Sequence, residues 1–288
     1  MRYYFRFLLI PLAFGAVAFL PMATRDETLS TSEILLVLSF QNALLFPDAI
    51  PESLLRYLPF LLFQIVFGTM IYRRFCTASV YFFSRKTMRV KWFLPECGKL
   101  FLYALLYVFI LVGASAGIVA VFGHLQFDSA FPPLFVYYLL IYALFLLFTT
   151  LGVNVLSILF TGSTAFLIVE GICLLNIAVY SILEPVSRKA AGYETPAFVR
   201  PGEVEPNFLS DWIWVIRPNF IANLNLYIHN KGFGVSQELI DRYGLDFSLN
   251  WSVLYFFILS VGVAIFGCLV IQKHTFIEAN QETGGTMS

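Results

Sequence analysis

The chain has 288 residues, 59% hydrophobic and only 12% charged, with a mean hydropathy of +0.79. A soluble domain carries roughly 25% charged residues, so this composition excludes an ordinary water-soluble enzyme and points to a polytopic membrane protein. Basic and acidic residues balance at 18 each, which leaves no basic domain for nucleic acid, and the four cysteines show neither a disulfide framework nor a CxxC metal spacing.

Six apolar runs are long enough to cross a bilayer, which takes about 20 residues each: Phe7 to Met22, Tyr57 to Tyr72, Leu100 to Phe122, Leu134 to Val153, Gly162 to Leu183 and Trp251 to Ile271. The expected fold is therefore all-α, one transmembrane domain over 1–288, with no room for a fused catalytic domain. The first run also has the basic start and small-residue end of a signal peptide, but Pro21 fits badly before a cleavage after Ala23. Between the second and third runs, 73–99 carries Arg73, Arg74, Arg85, Lys86, Arg89, Lys91 and Lys99 against Glu96 alone. Excess Lys and Arg beside a span marks the cytoplasmic side, so both termini are expected inside. The inner segments then hold ten basic residues and three acids, and the outer ones fourteen acids.

Along this loop the apolar VYFF precedes SRKTMRVKWF, and Pro95 is expected to break the chain before the third span. Tyr81, Arg85 and Trp92 would share one helix face, with Met88 and Arg89 beside them. Such a loop also attracts anionic lipid headgroups. The third run contains GASAGIVA, where Gly113 with Gly117 and Ala116 with Ala120 give the four-residue small spacing that lets helices approach closely. Ser260, Ala264 and Cys268 form a weaker version in the last run. In the fifth run Glu170 lies about 12 Å along the helix from its start. A carboxylate in hydrocarbon is a functional-site candidate, here for the substrate pathway, and needs a partner; Ser163, one heptad earlier, is the nearest polar residue on that face. The three histidines lie in loops and tail, away from metal-ligand spacing. The outer segment 184–250 begins Pro/Gly-rich, continues as DWIWVIRPNFIANLNLYI, and ends in GVSQELIDRYGL; two short helices lying on the membrane surface are expected there.

No nucleotide-cradling, HExxH or GxSxG motif is present. The layout of six spans, the aromatic and basic YFFSRKTMRVKWF segment, the outer segment with IRPNFIANLNLYIHN and the short QKHTF tail resemble permease subunits of ABC-2-type exporters. The likeness is greatest to small bacterial permeases of peptide or bacteriocin export and self-immunity. The resemblance implies a multi-pass protein of the cytoplasmic membrane that is no ATPase and binds no cofactor itself. It would pair with a second permease copy or paralogue, and a separate ATP-binding protein would contact Arg85, Lys86, Arg89 and Trp92. Two other readings stand beside it: a scaffold or sensor that recruits a partner with its outer segment, and an intramembrane enzyme using Glu170.

Overall fold

The structure, a computed structural model, describes residues 7, 9–23, 28–40, 49–82, 86–190, 213–240 and 246–273. Its helices in chain order are α1 (Leu9–Ala23), α2 (Thr31–Leu38), α3 (Ala49–Phe67), α4 (Met70–Phe82), α5 (Lys86–Phe122), α6 (Phe131–Leu159), α7 (Gly162–Ala190), α8 (Phe220–Leu224), α9 (Gln237–Ile240) and α10 (Leu249–Lys273). Two three-residue strands, β1 (Thr28–Ser30) and β2 (His124–Gln126), pair in parallel with Thr28 opposite His124.

Five stretches among the described residues are long and apolar enough to cross a membrane: Ile50–Cys76, Arg89–Phe122, Phe131–Leu159, Gly162–Ser181 and Leu249–Lys273. α1, described over Leu9–Ala23, lies along α5. There Gly15 permits the approach, because a Cβ at that position would sit 2.6 Å from Leu111 O and 2.9 Å from the Ala114 Cβ. The centre of the molecule is α6, 72% of whose apolar window is buried against 28% for α7 and for α10. It packs on α3, α5, α7 and α10, and its stacked Tyr138 and Tyr142 rings, 4.1 Å apart, join Phe60 and Phe145 in an aromatic core.

At one end of the bundle, Ser30 and Glu33 close a reciprocal cap at the start of α2. Asp128 then accepts from Thr31 and Ser32, and Arg56 donates to Ser39 O at 2.8 Å while pairing with Glu52 at 2.9 Å. Glu33, Glu52, Arg56 and Asp128 thus tie the chain entry to the spans.

Three expectations change. Pro95 does not end a helix: α5 runs through it for 37 residues. Pro95 and Lys91, whose carbonyl loses its helical partner, are both on the exposed side of α5, where water can take that bond. The second span is two helices, α3 and α4, broken at Gly68 and Thr69. Finally, 220–229 does not lie on a surface. Phe220, Ile221, Ala222, Leu224, Leu226, Tyr227 and Ile228 are all buried, because the stretch is mostly apolar and its backbone is satisfied by its own asparagines together with Asn176 and Tyr142 of neighbouring helices.

Candidate functional site

Glu170, on α7, is 5% exposed. Its partner is not Ser163, which faces outward, but the Tyr57 hydroxyl of α3, which donates to Oε2 at 2.8 Å. Tyr57 in turn accepts from Gln64 Nε2 at 3.0 Å, and the same amide donates to Thr149 of α6 at 3.0 Å. Thr149 donates its own hydroxyl hydrogen bond to Phe145 O at 2.9 Å. The donors that lead to this carboxyl oxygen, Gln64 and then Tyr57, both come from α3, with Thr149 of α6 accepting the second amide proton, while Glu170 Oε1 is buried with no hydrogen-bond partner. Cys173, one turn along α7, lies against the Tyr57 hydroxyl.

An apolar cavity of about 180 Å³ adjoins the cluster, bounded by Thr149, Gly152, Val169, Cys173, Phe220 and Phe266. A group with one ionisable oxygen left bare in an apolar interior is costly when charged. The arrangement can hold a proton on Oε1, or receive a donor from a molecule that reaches it.

Phe220 comes from the buried segment, whose irregular backbone is held by an asparagine ladder. Asn219 Oδ1 accepts from Ile221 N and Ala222 N at 2.9 and 3.0 Å. Asn176 of α7 takes Phe220 N at 2.9 Å, and Asn223 Nδ2 donates to Arg217 O and Asn219 O. Tyr142 of α6 donates to Leu224 O at 2.8 Å. Irregular backbone buried among apolar helices has to have its polar groups satisfied in this way.

His229 closes the ladder. Ser252 donates to Asn223 Oδ1 at 2.8 Å and so accepts from His229 Nε2, 2.7 Å away. The ring is fully buried, and burial pushes its pKa down to about 3, so the pair is a neutral stitch between the segment and α10.

Of the residues expected to meet a partner, Arg85 lies outside the described residues, as does the side chain of Lys86. Arg89 is 8% exposed and donates to Ile271 O at the end of α10. It therefore ties two helix ends together and is not a surface charge. Trp92 is half-buried beside Phe75, ring centres 6.0 Å apart, and Glu96 binds both Arg74 and Lys99.

Gly113, Gly117 and Ala120 face outward, and a Cβ at either glycine would meet nothing within 4 Å, whereas Ala116 is half-buried against the cluster around Phe19. On the last span Ser260 donates to Leu144 O at 3.2 Å, and the tight contact is at Gly267, where a Cβ would lie 2.6 Å from the Phe93 ring. A larger groove of about 1040 Å³ runs between α5, α6 and α10 with almost wholly apolar walls.

Tyr57, Gln64, Thr149 and Asn154 escaped the sequence reading. Tyr57 and Gln64 are one heptad apart in an apolar run, and that spacing alone could have flagged a shared polar face. Among the described residues no group of His, Cys, Asp and Glu could hold a metal ion. Comparison with family models, curated proteins and solved structures returns no match.

Proposed function

We propose that the chain is the membrane-spanning permease subunit of an ATP-driven ABC-2-type exporter. It lies in the cytoplasmic membrane with both ends inside and α1 as the first of six spans, and it moves a substrate such as a peptide or antimicrobial outward. A second permease copy or paralogue completes the pathway, and a separate subunit binds ATP.

The observation that carries the reading is the chain of donors from Gln64 through Tyr57 to Glu170, set between three apolar helices beside a cavity. Intramembrane ionisable groups facing a bundle interior mark pathways, and irregular buried segments such as 219–229 are the elements from which transporter sites are built. The basic segment fits a coupling role by length: α5 is about 55 Å long, so with Phe122 at one edge of a hydrocarbon core of about 30 Å its first four turns stand clear. Lys86, Lys91, Trp92 and Lys99 fall in that part. Against the enzyme reading, the partner of Glu170 is a phenol and not a second acid. Against the scaffold reading, the Asn-rich part of the outer segment is turned into the bundle.

The test is affinity purification of the tagged chain in mild detergent. An ATPase is expected to co-purify, and the Arg85→Ala, Lys86→Ala double variant is expected to retain less of it at equal membrane level. Recovery of no ATPase with the wild type would move support to the scaffold reading.

A further inference from the structure

The break in the second span is filled by one side chain from another helix. In a continuous helix the N–H of Ile71 would donate to Phe67 O and that of Tyr72 to Gly68 O. Instead both N–H groups donate to Asn154 Oδ1 of α6, at 2.7 and 3.2 Å. Phe67 O accepts from Asn154 Nδ2 at 2.9 Å. The carboxamide is thus inserted into the rung between Phe67 and Ile71 and takes both of its ends. Its second N–H donates to Thr150 O at 2.8 Å, which fixes the amide on its own helix. Asn154 is 1% exposed, and its donors and acceptor are all used.

Gly68 makes the approach possible. A Cβ there would lie 2.4 Å from Gln64 O and 3.1 Å from Val153 Cγ1. The same helix α6 also holds Gln64 through Thr149, five residues before Asn154. On one side of the break are Tyr57 and Gln64, the donors of the Glu170 cluster. On the other are Arg73 and Arg74, the latter paired with Glu96 of α5.

We propose that Asn154 is the pivot of a hinge at Gly68 and Thr69, about which α4 turns relative to α3, so that movement of the basic end reaches the Glu170 cluster through Gln64. A side-chain amide suits this role because it follows a change of angle while keeping both backbone ends bonded. An unbroken helix would have to strand an N–H and a carbonyl in the dry interior. Hinges of this kind concentrate the change in a few element-terminal residues. The inference concerns this chain alone and stands whether or not an ATP-binding partner exists.

The test uses the full chain in lipid nanodiscs. Hydrogen exchange is followed in peptides covering 68–76 and 50–66 for the wild type, Asn154→Leu and Asn154→Asp, with Asn154→Ala in place of Leu if that variant does not accumulate. The apolar variant is expected to raise exchange in 68–76 by roughly tenfold while leaving 50–66 within about twofold. The Asp variant, whose neutral acid keeps the acceptor and one donor, is expected to restore most of the protection. A packing role alone would raise both segments together, and that result, or no change in either, overturns the proposal.

A second measurement needs no variant at the pivot. Spin labels on native Cys76 and Phe160→Cys, with the other cysteines replaced by alanine, should give a broader distance distribution than Leu55→Cys with Val136→Cys. Equal widths would mean that the two halves move as one body.

Discussion

Replacing Tyr57 by Phe removes one hydroxyl that serves two partners, so the effect on stability is computable from the geometry. The Tyr57 hydroxyl donates to Glu170 Oε2 at 2.8 Å and accepts from Gln64 Nε2 at 3.0 Å. Gln64 keeps Thr149 as an acceptor, whereas Glu170 loses the one hydrogen bond its carboxyl makes and already has Oε1 without one. For a soluble interior, a stranded buried group costs about 1–3 kcal/mol. In a membrane the unfolded helices also find partners, and measured interhelical bonds average about 0.6 kcal/mol with a maximum near 1.7. The smaller scale governs here, so Tyr57→Phe is expected to cost about 0.6–1.7 kcal/mol. The assay is a double-mutant cycle with Glu170→Leu, read by denaturant unfolding in mixed micelles. The coupling between the two positions is expected near 0.6–1.5 kcal/mol. A coupling below about 0.3 kcal/mol, within the error of additivity, would mean that the phenol and the carboxyl do not act on each other.

Other expectations follow from burial and packing. Burial depresses the His229 pKa to about 3, below the unfolded value of about 6.5, so the unfolded chain takes up the proton first. The neutral ring's contribution is whole above about pH 6.5 and is lost as pH falls, by about 1.4 kcal/mol per unit until the folded pKa is reached. Between pH 7 and 5 the unfolding curves of wild type and His229→Gln should therefore differ in slope, and parallel curves would refute the burial. Gly267→Ala pushes a methyl to within 2.6 Å of the Phe93 ring and 2.8 Å of Val155, an overpacking worth about 1–3 kcal/mol. Gly113→Ala and Gly117→Ala, with open space at the Cβ, should leave thermal stability of the monomer unchanged or slightly raised. For orientation, an impermeant thiol reagent applied to intact cells should spare Cys76 and Cys97 and reach a Ser210→Cys variant, and labelling of Cys97 from outside would invert the map.

What the sequence disclosed was what depends on local composition. Long apolar runs appear as helices long enough to span a membrane because a helix satisfies its own backbone, so nothing beyond the run is needed to recognise one. Glu170 stood out for the same reason, as one charge in hydrocarbon. The first run is apolar enough but is described over only 15 helical residues, and its neighbour α5 takes it in through Gly15, a glycine that no motif had marked. Gly113 and Gly117 had the spacing for close approach yet sit on the outward face. Spacing defines a face of the helix but not the direction in which that face points, which is set by the packing of Leu111, Ala114 and Ser115 on Gly15 of α1.

The same limit explains why the site was half seen. Glu170 is one end of a chain whose other members are 113 and 106 residues away in sequence, at Tyr57 and Gln64, and each of those reads alone as a tolerable polar residue in an apolar run. Asn154 is a sharper case. An asparagine near the end of an apolar helix looks like a terminator, because its side chain competes for backbone bonds. Here it does compete, but for the backbone of a different helix, at Phe67, Ile71 and Tyr72. The glycine that admits it, Gly68, would have been read as a weak point in the second span. Only when the two helices are adjacent does the pair become a joint: one residue that opens the ladder and one that closes it from outside. Asparagines 219, 223 and 225 follow the same logic within their own segment, where the side-chain amides supply the bonds that a regular helix would have made. Asn154, Asn219, Asn223 and Asn225 thus all serve backbone that departs from the regular helix.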